Sequence, residues 1–254
     1  MQALYRHDME ELWDPKLAPH MWNRYHNQLE YYLELADNNP MDILDVGCAQ
    51  GTLALLLAER GHRVTAVDLR AEFLEYAKSR YTHGDIRFLV ANVLDDDISG
   101  SYDLIFANQI IEHLVYPQRL LQQLRKCLKP GGRLVTTTPN GDYFLNRLRN
   151  YQSLGDPRDW EHLQFTADGD GHFYAYLREE LVAIFRANGF TSVEASFFET
   201  PAISGHLKVR HLHGVAPVKV LRAIDRGVIK LPWVGRKLSH QLMVTGVSPA
   251  ERQC

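Results

Sequence analysis

The sequence predicts an α/β fold built on a mostly parallel sheet. Two observations carry this expectation. Short apolar runs alternate with helix-forming stretches of about 10–15 residues, and glycine turns mark the exchanges between them. Strands joined through helices pair in parallel, by right-handed crossovers. Residues 1–40 read as one or two helices, with Trp22–Ala36 ended by Asp37-Asn38-Asn39-Pro40. Asp42–Val46 is a buried strand, Gly47–Gly51 a turn, and Thr52–Arg60 a helix closed by Gly61. Strand Val64–Val67, helix Ala71–Arg80 and strand Ile86–Val90 follow, then strand Asp103–Ala107 and helix Pro117–Leu128. Lys129-Pro130-Gly131-Gly132 reads as a turn before strand Arg133–Thr138. After Gly141 the rhythm breaks, and 142–171 is polar, aromatic and weakly periodic. Loops of that length are functional or hold short elements of their own. Helix Leu177–Asn188 and strands Thr191–Phe198 and Leu242–Val247 complete the reading.

Composition excludes several classes. The chain has 254 residues, 45% of them hydrophobic, and a formal charge of −3. That balance argues against a disordered chain and against general nucleic-acid binding. Three cysteines (Cys48, Cys127, Cys254) without a CxxC indicate neither a disulfide framework nor a metal site. The acidic N-terminus lacks the apolar core of a signal peptide, and no apolar run is long enough to span a bilayer, so a cytoplasmic location is expected. The near-neutral total hides an asymmetry. Residues 201–240 carry eight basic residues against one acid, Asp225, a net +7 that leaves −10 on the remainder.

The first strand runs into Asp45-Val46-Gly47-Cys48-Ala49-Gln50-Gly51. Glycines there admit positive φ and close approach by a ligand, and a helix N-terminus follows. A dinucleotide loop would read G-x-G-x-x-G and seat a pyrophosphate. Here the spacing is G-x-x-x-G, Thr52 stands at the third glycine's place, and Asp45 would repel a pyrophosphate. No Gly-Lys-Ser/Thr follows, so a Walker loop fails too. Asp68 ends the second strand at the distance where an acid binds ribose hydroxyls. The expected ligand contains ribose, lacks pyrophosphate and carries positive charge. S-adenosylmethionine meets all three conditions.

At this point the sequence resembles the class I S-adenosylmethionine-dependent methyltransferases. Six blocks carry the likeness in order: Ile43–Gly51, Val64–Asp68, Tyr102–Phe106, Glu112-His113-Leu114, Leu128–Gly132 and Thr138-Pro139-Asn140. The resemblance implies a Rossmann-like sheet of seven strands with the last one reversed and helices on both faces. It implies Gly47 and Gly51 along the methionine and ribose portion, with Asp45, Cys48 and Ala49 beside them. Asp68 would hold the ribose and Leu69 would lie on the adenine. Asn92 and Val93 would meet the adenine edge, and Asn108 would face both methionine and acceptor. Ala49 replaces the family's middle glycine, and Asn92 its more usual acid. Cys48 reads as a small buried hydrophobe rather than a nucleophile.

Glu112-His113 and the Thr138-Pro139-Asn140 block look like the small-molecule branch that includes the ubiquinone-biosynthesis O-methyltransferases. A hydroxyl acceptor benefits from a base, and His113 and His172 are the candidates, with no metal expected. Glu112, Trp160 and Tyr176 are expected near the acceptor, with His162 and Phe165 in the same stretch. Arg24 and Tyr25 would sit on an N-terminal lid. The chain therefore reads as a single domain: lid helices in 1–40, cofactor core in 41–140, substrate cap in 141–175 and a basic insertion in 200–240. Other readings are methylation of nitrogen or carbon, a non-catalytic cofactor-binding protein, and an NAD-dependent oxidoreductase, the last opposed by Asp45 and Thr52. Residues 207–240 interleave cations with Leu, Val, Ile and Trp233. Such an element suits peripheral contact with anionic lipid, an acidic acceptor, a solvated lid or a dimer surface.

Overall fold

A computed structural model describes Lys16 and residues 18–164 and 171–250. Phe165 and Cys254 lie outside the described residues. The elements are α1 (Pro19–Leu33), β1 (Asp42–Val46), α2 (Thr52–Glu59), β2 (Arg63–Asp68), α3 (Ala71–Arg80), β3 (Asp85–Val90) and β4 (Tyr102–Asn108). They continue with α4 (Pro117–Cys127), β5 (Leu128–Pro139), α5 (Arg178–Ala187), β6 (Thr191–Phe198), the single turn α6 (Pro201–Ser204), α7 (Val218–Ile229), α8 (Val234–Leu238) and β7 (Gln241–Val247). Short 3-10 turns cover Ile111–His113, Tyr151–Ser153, Pro157–Asp159, Glu161–Leu163 and Val209–Gly214. The long irregular stretch thus holds small elements of its own.

Seven strands form one sheet in the order β3-β2-β1-β4-β5-β7-β6. The pairs β3–β2, β2–β1, β1–β4 and β4–β5 are parallel. The reversed β7 lies between β5 and β6. Strand order reverses between β1 and β4, the place where open α/β sheets bind ligands beyond their carboxyl ends. Register brings Val46 beside Val67 and Ala107, and Asp68 beside Val90. Gly47, Leu69, Ala91 and Gln109 consequently leave the sheet along one edge. The central strands are dry. Ile43, Leu44, Leu104, Ile105 and Phe106 are fully buried, as expected of a sheet covered on both faces.

Two elements differ from the sequence reading by more than a residue: the first helix runs Pro19–Leu33 instead of Trp22–Ala36, and the fifth strand starts early. Lys129-Pro130-Gly131-Gly132 is part of β5, not a separate turn. The register slips between Tyr102 and Leu104, and Gly131 takes φ +77°. The Gly131 N–H donates to Ser248 O (3.0 Å) and the Ser248 N–H to Gly132 O (2.8 Å). The segment is a bulge whose backbone groups remain satisfied.

The chain falls into two compact units. The larger comprises Ala36–Asp142, Asn146–Ser196 and the chain from Leu242 on. The smaller gathers the described residues up to Leu35 with Tyr143–Leu145 and Phe197–Gln241. It packs Tyr31 and Tyr32 around Phe198. Arg24, expected on a lid, pairs with the buried Glu199 carboxylate at 2.5 Å.

In α7 the inward positions are Leu221 and Asp225, one turn apart. Ile224 faces outward at 48% exposure. Asp225 is fully buried and accepts the Thr200 N–H at 2.6 Å. The one acid of the basic segment therefore serves the interior. Asp225→Leu should lower the urea midpoint, because it strands a buried N–H worth about 1–3 kcal/mol. Asp225→Asn, which keeps an acceptor, should retain most of the stability.

Candidate active site

The turn after β1 is held by backbone conformation and by one neighbouring carboxylate. Gly47, Ala49 and Gly51 all take positive φ, at +62°, +46° and +76°. A Cβ on Gly51 would stand 2.6 Å from the Ala77 Cβ, so sterics and φ both demand glycine there. Ala49 is small enough for the left-handed region at modest cost. Its N–H donates to Asp68 Oδ2 and the Arg70 N–H to Asp68 Oδ1, each at 2.9 Å. The Cys48 N–H donates to Val67 O at 3.0 Å. The turn is thereby fastened to the end of β2. Gly51 then caps α2, whose first N–H groups point toward the turn.

Two acids share this region. Asp45 is 3% exposed, and its Oδ2 has no hydrogen-bond partner. Burial, reinforced by the nearby Asp68, pushes its carboxyl up to about 7. Asp68 is also raised by burial, and the Arg70, Ala49 and Leu69 N–H groups act against that rise. The carboxylate keeps acceptor capacity beyond these backbone bonds. Cys48 is buried, and burial pushes its thiol up, as suits a packing residue.

The flanking positions differ in readiness for a ligand. Leu69 is 54% exposed just beyond β2. Asn92 is occupied by its own turn. Its Oδ1 accepts the Leu94 N–H, and its Nδ2 donates to Asp95 Oδ2. Val93, half-buried, lies beside it. Asn108 ends β4, and its Oδ1 accepts from Thr137 Oγ1 at 3.0 Å. Gln109, next in sequence, has φ +54°, and its Nε2 donates to Thr137 Oγ1 at 3.2 Å. This strained residue re-aims the chain away from the strand. Nothing in its residue type announced it.

Farther along, two distant segments meet. The Phe173 N–H donates to Glu112 O at 2.8 Å. Tyr174 and Tyr176 donate their hydroxyls to Val115 O (3.0 Å) and Ile111 O (3.2 Å). The His113 and His172 rings consequently stand 4.7 Å apart, edge to face. Glu112 is fully buried, and burial pushes its carboxyl up to about 8 against a hydrogen bond with Thr138. Tyr176 is also fully buried with its hydroxyl engaged, so it positions the segment from behind. Trp160 is half-buried beneath the Arg149 guanidinium, 4.4 Å from its ring centroid. His162 is exposed.

Ionised Asp45 costs stability. Its folded pKa lies above the ordinary 3.8, so the penalty begins above that value and is complete above about 7. Asp45→Asn should therefore raise the melting temperature at pH 8 and change it little at pH 4, measured on the ligand-free protein.

The family described as "Methyltransferase domain" matches residues 5–195. A ubiquinone biosynthesis O-methyltransferase from Idiomarina loihiensis is 33% identical over 102 residues, 39% of this chain and 42% of that protein. The chain spans about half the length of the curated relatives it matches. An S-adenosylmethionine-dependent methyltransferase from Archaeoglobus fulgidus has the same fold, with TM-score 0.56 at 17% identity over 87% of this chain and 91% of that one. Haemonchus contortus phosphoethanolamine N-methyltransferase 2, solved with S-adenosyl-L-methionine, gives TM-score 0.59 at 19% identity over 88% and 52%. Motif blocks, sheet order and family match agree: the chain belongs to the methyltransferase-domain family, in its class I S-adenosylmethionine-dependent branch.

Proposed function

We propose that the protein transfers a methyl group from S-adenosylmethionine to an oxygen of a small molecule: a phenol or quinone precursor, a sugar or a lipid-linked intermediate. The observation that carries this reading is the orphaned, buried oxygen of Asp45 behind a left-handed turn. A cation seated there finds a carboxylate that nothing else satisfies. Asp68, with its spare acceptor positions at the next strand end, suits the two ribose hydroxyls. Gly47, Cys48, Ala49 and Gly51 would flank the methionine and ribose portion. Leu69, Asn92, Val93 and Asn108 would complete the cofactor's surroundings, and Asn92 would offer backbone more than side chain because its amide is engaged. The cofactor, when bound, supplies an electrophilic methyl on a sulfonium, and the protein supplies position and a dry site.

Oxygen as the acceptor is supported by the O-methyltransferase names of the ubiquinone-biosynthesis relatives and by the His113–His172 pair, which can activate a hydroxyl. Trp160 and Glu112 would stand near that acceptor. Isotopically labelled cofactor offered with hydroxylated extracts should give a product carrying one extra methyl on oxygen; a product methylated only on nitrogen or carbon refutes the oxygen reading. Asp68→Ala should weaken S-adenosylhomocysteine binding about tenfold or more by calorimetry, because bonds to a charged group are worth about 1.5–3 kcal/mol. An unchanged affinity contradicts the ribose role. Cofactor affinity should also rise with pH through about 7, since a cationic ligand favours ionised Asp45.

A peripheral contact with anionic lipid at the inner face of a membrane is part of the same proposal. It is supported by the smaller unit's surface between Leu207 and Val234. Val215 and Trp233 are 81% and 84% exposed there, and Leu207, Leu212, Val220, Ile224, Leu231 and Val234 are also exposed. Exposed Lys208, Arg210, Lys219 and Lys230 are interspersed among them in the sequence. Exposed apolar side chains interleaved with cations suit a negatively charged interface. No helix among the described residues is long and apolar enough to cross a membrane. In vesicle flotation the protein should rise with anionic but not neutral vesicles, and Trp233→Ser should reduce the bound fraction. Absence from both vesicle types refutes the contact.

A further inference from the structure

Glu112, His113 and His172 each bring one ligand atom into a cluster in which all three atoms lie within 4.8 Å of one another. We infer that these three residues bind one divalent first-row transition ion, of the zinc(II) or manganese(II) class. The donor set is two imidazoles and one carboxylate, which such ions accept and which magnesium and calcium do not favour. The three residues are not neighbours by accident of a surface. The Phe173 N–H to Glu112 O bond ties the two segments backbone to backbone, immediately beside all three donors. Tyr174 and Tyr176, both fully buried, fasten the same pair of segments through the Val115 and Ile111 carbonyls. The two segments that carry the donors are therefore held together before any ion arrives. Ligand atoms around such an ion stand roughly 3–3.5 Å apart, from metal–ligand distances near about 2.1 Å. The widest donor pair must close by up to roughly 1–2 Å to reach that spacing, a movement open to the exposed His172 side chain, whereas Glu112 is fully buried.

Three protein ligands leave coordination positions open, the arrangement of reactive rather than structural sites. The inference rests on the methyl-transfer reading for what those positions do, though not for whether the ion binds. There the acceptor hydroxyl would coordinate and lose its proton to solvent. Its oxygen would then form a bond to the cofactor's methyl carbon as the carbon–sulfur bond breaks, leaving neutral S-adenosylhomocysteine. Such activation needs no free imidazole, so His113 and His172 would act as ligands rather than as bases.

The test uses the full chain, stripped with a chelator and then freed of it. Zinc(II) titrated by calorimetry and cobalt(II) followed by its visible absorption should each bind one to one. His172→Ala, an exposed position that leaves the core intact, and His113→Ala should each weaken that binding by about tenfold or more. His83→Ala, an exposed histidine elsewhere, should leave it unchanged. S-adenosylhomocysteine affinity is measured on the same samples. One-to-one ion binding that is equally tight in His172→Ala overturns the site. Absence of ion binding with adenosylhomocysteine binding intact overturns the ion alone, and absence of both overturns the cofactor reading beneath it as well.

Discussion

The rest of the cofactor side depends on the Asp68 carboxylate. Its two oxygens accept the Ala49 and Arg70 N–H groups, one before and one after the crossover through α2. Without those bonds three left-handed residues within five (Gly47, Ala49 and Gly51) would have little reason to stay folded over a strand end. With them, the turn is fixed at the reversal of strand order, and Asp45 is shut behind it. The cost is a buried acid that ordinary folding would avoid. Such a cost is expected where selection has favoured a ligand over stability.

The sheet was legible because its signals are local. Alternating apolar runs and glycine stops need only a few residues each to be read, and the structure shifts most boundaries by one or two positions. Asp45 and Asp68 were legible for a different reason. Their positions relative to a strand–turn–helix unit fix their place in space. The likeness to a family added the count of seven strands and the reversed one, which periodicity alone does not give.

What stayed illegible is set by contacts between distant segments. Nothing in His-Phe-Tyr-Ala-Tyr shows that the Phe173 backbone will bond Glu112, or that Tyr176 will be buried rather than face a substrate. The Lys129–Gly132 bulge looked like a turn because Pro and Gly mark both, and only pairing to Ser248 distinguishes them. In α7, Asp225 occupies an inward position that its residue type argues against, because a buried Thr200 N–H needs an acceptor. Gln109 carries no sequence mark at all, since its left-handed backbone is imposed by its surroundings.

The chain leaves the framework at Gly141 and returns to it at Phe173. Gly141 is bound to Tyr176 O at 2.9 Å, and Phe173 is bound to Glu112. Both ends of this excursion are therefore clamped to the same few residues around the histidine pair. Closing a loop between fixed ends costs little more as it lengthens. Lengthening or shortening the stretch between Gly141 and His172 would thus leave Glu112 and His113 where they are. Changes of length or composition in the excursion therefore cost the framework little.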